Sequence, residues 1–327
     1  MKKLENLFEE YKKLSFHKKV LQVICIFLIV TNLVIFTFYR NEVARHVVSD
    51  YEAKYSLIDS HRQFHQSEDM IVNIQELREY LKLLPEQNKD WAELSIYFEV
   101  LNTGANVSVN PDLKIWPASL AKLPIAMVAM KKVEKGEWSL DTFFELKKED
   151  IDQDSVLVEV GKKYTLKEII NSMLYLSDNS SWKILSRSLS DQEVMDIGNA
   201  VGLDELFVKD AKVSAKEYAR LYRALYLAVY LNEENSQLLL DILTKNSFKD
   251  FLRSGLPKDF LFAQKWGTNT IVNAYSDSGI IYIEERPYIL VVMLQSKLDD
   301  VKLSREKANQ LMKEISERSY NFMSKNN

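Results

Sequence analysis

The sequence is poor in cysteine and histidine, and this scarcity excludes several catalytic mechanisms. The only cysteine among the 327 residues is Cys25, so the chain has no disulfide framework and no thiol cluster for a metal. The four histidines all lie in the first fifth of the chain, at His17, His46, His61 and His65. Beyond them no imidazole is available for a Ser-His-Asp or Cys-His mechanism, or for a histidine-bound zinc site. A nucleophile in the remaining chain needs a lysine, a carboxylate or a tyrosine as its base.

An excess of positive charge is also lacking. The chain carries 43 lysines and arginines against 47 aspartates and glutamates, which gives a formal net charge of −4. Because the two signs are well mixed, we expect no nucleic-acid partner. The hydrophobic content of 46% is sufficient for a sizeable packed core, and no metal or organic cofactor is expected.

One long uncharged run separates a short N-terminal segment from the rest of the chain. Residues 20–39, VLQVICIFLIVTNLVIFTFY, have the length of a helix that crosses a bilayer. Six lysines precede this run and fewer basic residues follow it closely, so the positive-inside rule predicts a cytoplasmic N-terminus. A cleaved signal peptide is the alternative, but no small-residue cleavage site follows the run.

These features predict a single-pass protein of the cell membrane. A cytoplasmic segment would occupy residues 1–19, the transmembrane helix residues 20–39, and an extracytoplasmic helical stalk residues 40–70. The remaining residues, 71–327, would form one extracytoplasmic domain.

The predicted elements of that domain follow the order helix, two strands, many helices, three strands, helix. Apolar residues at helical spacing end at Pro85, where the first helix should stop. Two β-rich runs flank a turn at 102–104 and predict a hairpin. Capping boxes predict helix starts at Thr165, Ser190 and Ser214.

Strand-like runs return late in the chain, at 260–267, 274–285 and 287–295, before a last amphipathic helix. An α/β (α+β) fold pairs the five strands most simply. It has one five-stranded antiparallel sheet, covered on one face by the N- and C-terminal helices and on the other by a large all-helical insert.

The spacing Ser-x-x-Lys is too frequent in this chain to identify a nucleophile by itself. It occurs four times, beginning at Ser15, Ser119, Ser180 and Ser304. Only Ser119 combines a preceding Pro-Ala pair with a following apolar run, which is typical of the first turn of a buried helix. Residues three apart share a helix face, so the Lys122 amine can reach the Ser119 hydroxyl, and burial would lower the pKa of that amine.

Two further motifs follow in chain order. Ser177-Asp178-Asn179 lies in a loop after a predicted helix, and Lys265-Trp266-Gly267 lies on a late strand. Ser-x-x-Lys, Ser-Asp-Asn and Lys-x-Gly in this order form the motif set of penicillin-interacting serine enzymes. On these motifs, the chain from about residue 70 to 325 resembles the class A β-lactamase-related serine hydrolases, relatives of the penicillin-binding D,D-peptidases.

This resemblance implies catalytic roles for five polar residues, which are Ser119, Lys122, Ser177, Asn179 and Lys265. Ser119 would be the acylated nucleophile and Lys122 its base. Ser177 would pass a proton to the leaving nitrogen, and Asn179 would hold the substrate amide and Lys122. Asp178 is expected to brace its loop rather than to take part in the chemistry.

The late strand is implied to bind the substrate. By the resemblance, Lys265 would attract the substrate carboxylate, while Trp266, Gly267 and Thr268 would contact the substrate. The backbone N–H groups of Ser119 and Thr268 would form the oxyanion hole, where one donor is worth roughly 10²–10³ in rate.

Two departures from the family pattern affect this interpretation. Trp266 stands where the family usually has Thr or Ser, whose hydroxyl contacts the substrate carboxylate. The segment 202–213 is too short for the loop that carries the deacylating Glu of class A β-lactamases. Glu205 and Asp210 lie in this segment, and we expect both to be solvated loop charges rather than deacylating residues. Asp277 could support the site from the next strand or serve a turn.

The sequence therefore predicts a serine hydrolase that forms an acyl-enzyme with β-lactams or D-Ala-D-Ala-type amides. A cell-wall D,D-peptidase with slow β-lactam deacylation is one alternative, and the short segment 202–213 favours it. A non-catalytic binder of β-lactams or peptidoglycan, or an antibiotic sensor, is another. The expected partners are such a substrate and, through residues 20–39, the membrane.

Overall fold

The computed structural model describes residues 2–59, 73–152, 155–203 and 212–325, with part of the side chains of the first helix left out. It divides into two compact units, Met1–Ser56 and Leu57–Asn327. The first unit is the helix α1 (Lys2–Lys54).

The predicted transmembrane span is not supported by the structure. Within the part of the chain that the structure describes, no helix combines the length and the apolar character needed to cross a membrane. Residues 20–39 and the first part of the predicted stalk belong to α1, but the side chains at 20 and 22–26 lie outside the described set. The end of the predicted stalk, 60–70, lies outside the described residues as well.

The second unit contains the predicted alternation of strands and helices. Its helices are α2 (Gln75–Asn88), α3 (Lys122–Glu134), α4 (Leu166–Tyr175), α5 (Asn179–Ser188), α6 (Asp191–Val201), α7 (Ala215–Tyr226), α8 (Glu233–Thr244) and α9 (Val301–Lys325). Its strands are β1 (Ala92–Val100), β2 (Asn106–Val109), β3 (Phe143–Glu145), β4 (Lys163–Thr165), β5 (Phe262–Asn269), β6 (Ala274–Ile281) and β7 (Tyr288–Ser296).

Five of these strands form one antiparallel sheet in the order β2-β1-β7-β6-β5. The predicted five-stranded antiparallel sheet is therefore present, and β5 lies at its edge. A small second sheet of β3 and β4 was not predicted, because strands of three residues are too short to show alternation.

One face of the sheet is apolar and packs against the first and last helices of the unit. Alternate residues of β1 and β7, such as Phe98 and Val292, join one buried cluster with Leu81 of α2 and Ile315 of α9. Side chains alternate between the two faces of a strand, so the intervening residues face the other way.

The opposite face carries buried polar groups and is covered by α7 of the helical insert. Ser95 Oγ accepts a hydrogen bond from the Ala215 N–H at the start of α7 (3.0 Å). On the same face, Arg223 forms an ion pair with Glu99 and donates to Tyr97 Oη (2.9 Å). We call this the site face, because the motif residues lie beside it.

The helix starts were predicted better than one of the helix ends. The capping boxes at Thr165, Ser190 and Ser214 are all formed, each with a glutamate three residues later. The predicted stop at Pro85 was wrong, because α2 continues to Asn88. Proline in the last turn removes only one helical hydrogen bond, and Leu84 just before it is buried in the apolar cluster.

Candidate active site

Ser119 lies in a tight turn that leads into α3. The turn is a 3-10 helix (Ala118–Ala121), and Ala118 has the left-handed φ of 50°. Tyr218 of α7 donates to the Leu120 carbonyl oxygen (2.8 Å) and so fixes the turn to the helical insert. The Ser119 hydroxyl is thereby held at the start of a buried helix, as the sequence predicted.

Lys122 is the first residue of α3 and is almost completely buried, with 3% of its surface exposed. Its Nζ lies 3.0 Å from Ser119 Oγ and 2.6 Å from Asn179 Oδ1. It also donates to the backbone oxygen of Ser177 and lies 3.2 Å from Ser177 Oγ. Burial lowers the pKa of Lys122 to about 8, against the opposing effect of the nearby acids Asp178 and Asp152. The amine is therefore surrounded by oxygens and can lose its proton near neutral pH.

The Ser-Asp-Asn loop brings Ser177 between two lysines. Ser177 has a left-handed φ of 60°, and its Oγ lies 3.2 Å from Lys122 Nζ and 2.9 Å from Lys265 Nζ. The hydroxyl therefore connects the two amines, which is the position that a proton shuttle needs.

The two other residues of this loop have structural contacts as well. Asp178 caps α5 by accepting from the N–H and the hydroxyl of Ser181, and it accepts from the Val156 N–H (2.6 Å). Asp178 thus braces its loop, as expected. Asn179 donates from Nδ2 to Asp152 Oδ1 (3.2 Å) while its Oδ1 accepts from Lys122. The sequence offered no signal for Asp152, which comes from a separate acidic loop.

Lys265 of β5 reaches the Ser-Asp-Asn loop. Its side chain is completely buried, and its Nζ donates to Ser177 Oγ (2.9 Å) and to the Trp266 carbonyl oxygen (3.2 Å). Burial and the neighbouring Lys122 lower the pKa of Lys265 well below its usual value, although Asp277 acts in the opposite direction. In the structure the Lys265 amine therefore lies beside the Ser177 hydroxyl.

Gly267 lets β5 pass very close to the nucleophile turn. A Cβ atom at this position would lie 2.8 Å from the Ser119 nitrogen and 3.0 Å from the Pro117 oxygen. Only glycine fits there without displacing the backbone. Thr268 follows on the same strand and is half-buried. The structure thus brings the two predicted oxyanion donors, at 119 and 268, onto adjoining segments.

Trp266 forms part of an aromatic stack that the sequence did not reveal. Its ring lies parallel to that of Phe248, with centroids 4.0 Å apart and 13° between the planes. Lys265 Nζ lies 5.6 Å from the centroid of the indole. Phe248 is 18 residues away in the chain, in an irregular segment before β5, so no spacing rule points to it.

The beta-lactamase enzyme family model matches residues 75–323 of the chain. The chain belongs to this family. PBP-A has a similar structure, with a TM-score of 0.68 and 21% identity over 77% of this chain and 97% of its own. A single-residue variant of PBP-A, in an acyl-enzyme complex with penicillin G, has a TM-score of 0.69 and 20% identity over the same shares.

A variant of the class A β-lactamase of the last common ancestor of Gram-negative bacteria also has a similar structure. Its TM-score is 0.67, with 21% identity over 77% of this chain and 100% of its own. At these identities the likeness shows the fold. Together with the family match, it identifies the protein as a serine hydrolase.

Three further acids of this β-lactamase-family hydrolase were considered from the sequence, and the structure describes one of them. Glu205 and Asp210 lie outside the described residues. Asp277 lies within β6, not in a turn, and accepts from Gln264 Nε2 (2.7 Å) and from the Leu252 N–H (3.0 Å). Burial raises the pKa of Asp277 to about 8. Its side chain lies on the apolar side of the sheet, on the strand next to the one that carries Lys265.

The other described Ser-x-x-Lys pairs of this hydrolase are not arranged as a nucleophile and base. Ser180 Oγ accepts from the Asp152 N–H (3.3 Å), while Lys183 is bound to the Asp152 carboxylate (3.1 Å). Ser304 Oγ forms hydrogen bonds with Ser296 Oγ (2.8 Å) and with the Asp300 carbonyl oxygen (2.8 Å). Over the described ranges, no three histidine, cysteine or carboxylate side chains form a group that could hold a metal ion.

Proposed function

We propose that the protein forms a covalent acyl-enzyme at Ser119 with β-lactams and D-Ala-D-Ala-type amides. The observation that carries this proposal is the position of the buried Lys122 amine, 3.0 Å from Ser119 Oγ, with a pKa of about 8. A neutral lysine at hydrogen-bond distance is a competent base for a serine hydroxyl. No histidine occurs in the chain after His65, so the segments that form this site supply none.

The acylation steps follow from the contacts of the two serines. The neutral Lys122 amine accepts the Ser119 hydroxyl proton while Oγ bonds to the amide carbonyl carbon. The backbone N–H groups of Ser119 and Thr268 stabilise the negative oxygen. When the C–N bond breaks, Ser177 gives its proton to the leaving nitrogen and recovers one from Lys122, which is within 3.2 Å of Ser177 Oγ. The step yields the Ser119 ester and a neutral Lys122; the amine leaves when the substrate is a peptide and stays attached to the acyl group when it is a β-lactam.

We infer that hydrolysis of the acyl-enzyme formed with a β-lactam is slow. This favours a D,D-peptidase over a β-lactamase as the function of the protein. Hydrolysis needs a positioned water and a base for its proton. Among the described residues, Asp178 and Asp152 are the acids that act on Lys122, and they are engaged by Asn179, Lys183 and the start of α5. The PBP-A variant in an acyl-enzyme complex with penicillin G is a precedent on the same fold for acylation by a penicillin.

Intact-protein mass spectrometry with a fluorescent penicillin tests this function. The parent protein should gain one covalent adduct that persists for minutes, and Ser119→Ala should gain none. Ser180→Ala is the matched control, since it removes the serine of another Ser-x-x-Lys pair, and it should still be labelled. Labelling of Ser119→Ala would contradict the assignment. A folded parent protein that binds the penicillin without an adduct would favour the non-catalytic binder.

We also propose that the hydrolase domain is held outside the cell membrane by residues 20–39. The support is the uncharged run and the excess of lysines before it. Full-length protein should sediment with membranes after a high-salt wash, and external protease should digest its C-terminal domain in spheroplasts. Release by salt, or a C-terminal domain protected from the protease, would contradict the proposal.

A further inference from the structure

Two tyrosines of α7 form hydrogen bonds to the backbone on both sides of the candidate active site. Tyr218 and Tyr222 are one helical turn apart, so their side chains share a face of the helix. Both side chains are completely buried, and their rings meet edge to face with centroids 6.0 Å apart. A buried hydroxyl is unfavourable unless it has a hydrogen-bond partner. Each of these two hydroxyls donates to a backbone carbonyl oxygen.

The first hydroxyl takes the place of a helical hydrogen bond that the sequence removes. In a regular α-helix the Leu120 carbonyl oxygen would accept from the N–H of residue 124, but Pro124 has no N–H. The Tyr218 hydroxyl donates to that oxygen over 2.8 Å. Leu120 directly follows Ser119 in the chain. Tyr218 therefore holds the turn that carries the nucleophile and leads to its base.

The second hydroxyl contacts the pair of strands that carries the other lysine of the site. Tyr222 donates to the Ser278 carbonyl oxygen on β6 (3.0 Å). The Ser278 hydroxyl in turn donates to the Lys265 carbonyl oxygen (2.8 Å), directly across the ladder between β6 and β5. The backbone of Lys265 is thus connected to α7 through one intervening residue.

The two tyrosines thereby fix the two backbone segments whose lysine amines meet at Ser177. Ser177 Oγ lies 3.2 Å from Lys122 Nζ and 2.9 Å from Lys265 Nζ. A shift of either segment away from Ser177 by about 1 Å would break one of these contacts. Helix α7 can set the separation of the two segments, because the ion pair of Arg223 and Glu99 binds it to the sheet.

Resting on the acyl-enzyme function proposed above, we propose that Tyr218 and Tyr222 are positioning residues for acylation, which together set the distance between the two lysines across Ser177. Their hydroxyls contact backbone oxygens and act on the reaction through the segments that they hold. Loss of either hydroxyl should therefore slow the bond-forming step and leave the binding of the substrate largely unchanged.

Tyr218→Phe and Tyr222→Phe test this role, because each substitution removes one hydroxyl and keeps the ring. Stopped-flow acylation of the full-length protein over a range of penicillin concentrations separates the saturating rate constant from the dissociation constant. We expect each variant to lower the rate constant by about tenfold, with a dissociation constant within about twofold of the parent value.

Tyr288→Phe is the matched control, because it removes the hydroxyl of another completely buried tyrosine. Tyr288 lies on β7 in the apolar cluster, and its Oη has no hydrogen-bond partner among the described residues. This variant should be acylated at the parent rate. A parent-like rate constant in Tyr218→Phe or in Tyr222→Phe, or equal slowing in the control, would overturn the proposal.

Pro124→Ala distinguishes positioning from a general loss of stability. Alanine at this position supplies the N–H that the Leu120 carbonyl oxygen lacks, so it can compensate for the missing hydroxyl of Tyr218. We expect Pro124→Ala to recover most of the rate that Tyr218→Phe loses, and none of the rate that Tyr222→Phe loses. Equal recovery in both backgrounds, or recovery in neither, would contradict the assigned contact. If Tyr218→Phe does not fold, Tyr222→Phe and the two double variants decide.

The pKa of Lys122 provides a second measurement, which needs no substrate. An NMR titration of protein with ¹³Cε-labelled lysine reports this pKa, and the Lys122 signal is assigned by its loss in Lys122→Ala. Displacement of the turn would let water reach the amine, so Tyr218→Phe should raise the pKa toward the ordinary lysine value. The charged groups that act on this amine, Asp178, Asp152 and Lys265, are unchanged in the variant. Burial raises the pKa of the Tyr218 hydroxyl well above its usual value, so the hydroxyl stays protonated in this range.

The two measurements separate this proposal from the function on which it rests. A raised Lys122 pKa in Tyr218→Phe, with no acylation of the parent protein, would support the positioning role and contradict the acyl-enzyme. Acylation of the parent and of both tyrosine variants at one rate would support the acyl-enzyme and overturn the positioning role. An unreactive parent together with an unchanged pKa would contradict both.

Discussion

The two faces of the five-stranded sheet bury different sets of side chains, although the same strands form both faces. The apolar face buries side chains such as Phe98 and Leu290 against α2 and α9, where contact area and volume decide the stability. The site face buries Glu99, Lys265 and Ser278, and each of these has a hydrogen-bond partner. The site face also buries apolar side chains such as Val291, which lies opposite Ser278, so it combines packing with the polar geometry that reactivity requires.

The site face should tolerate substitution of its buried polar residues less well than the apolar face tolerates substitution of its apolar residues. A buried charge or hydroxyl without a partner is strongly unfavourable, whereas an apolar residue accepts replacements of similar volume. Lys265, for example, depends on one hydroxyl and one backbone oxygen. The difference predicts that substitutions on the site face change the rate of acylation, while substitutions on the apolar face change the stability.

The largest effect on the site face should come from Lys122→Ala. Without the amine, no base in the described part of the chain lies at hydrogen-bond distance from Ser119 Oγ, so acylation by a penicillin should slow by at least about 10²-fold. The melting temperature should change less, because the substitution also removes a buried amine. Stopped-flow acylation and thermal unfolding measure the two effects. Lys307→Ala, the lysine of the pair at Ser304, is the control, and equal slowing there would argue against a specific base.

On the apolar face, Leu290→Ala should show the opposite combination. Leu290 is completely buried on β7, so its truncation should lower the free energy of unfolding by about 2–5 kcal/mol. The acylation rate constant of the folded protein should remain within about twofold of the parent value. Denaturant unfolding and acylation at low temperature provide the two measurements. A large loss of acylation in a fully folded variant would show that the faces are not independent.

Gly267→Ala probes the contact between β5 and the nucleophile turn. The added methyl group would lie 2.8 Å from the Ser119 nitrogen, so one of the two segments must move. Displacement of an oxyanion donor should slow acylation by about tenfold or more, while penicillin binding to a Ser119→Ala background changes less. Unchanged acylation would mean that the turn can shift without disturbing the oxyanion hole.

The motif residues were predictable from the sequence because each depends on local spacing. Ser119 and Lys122 share a helix turn, and the capping boxes such as Thr165 are read within four residues. Contacts between distant segments left no such pattern. The Trp266–Phe248 stack, the Asn179–Asp152 hydrogen bond and the burial of Lys265 arise only when separate loops meet. A lysine on an edge strand is ordinarily exposed, so its burial needed the structure.

The pH dependence of acylation should follow the charge of Lys122. The amine must be neutral to accept the Ser119 proton, so the rate should rise with pH through a midpoint near its pKa of about 8 and then level off. At pH 6 the rate should be roughly one hundredth of the plateau. Stopped-flow acylation between pH 5.5 and 10, with a penicillin that is stable over that range, measures the curve. A rate independent of pH would indicate a different base.

The smallest predicted effect is a shift of that curve by Asp152→Asn. The negative charges of Asp178 and Asp152 raise the pKa of Lys122 against the effect of burial. Asp178 caps α5, so its removal would also disturb the loop, whereas an asparagine at 152 can still accept from Asn179. Loss of the Asp152 charge favours the neutral amine, so the midpoint should move to lower pH. The rate at pH 7 should rise by no more than about threefold, and the plateau should stay unchanged. Asp196→Asn, an exposed acid on α6, is the control, and a midpoint that moves to higher pH in Asp152→Asn would contradict this electrostatic account.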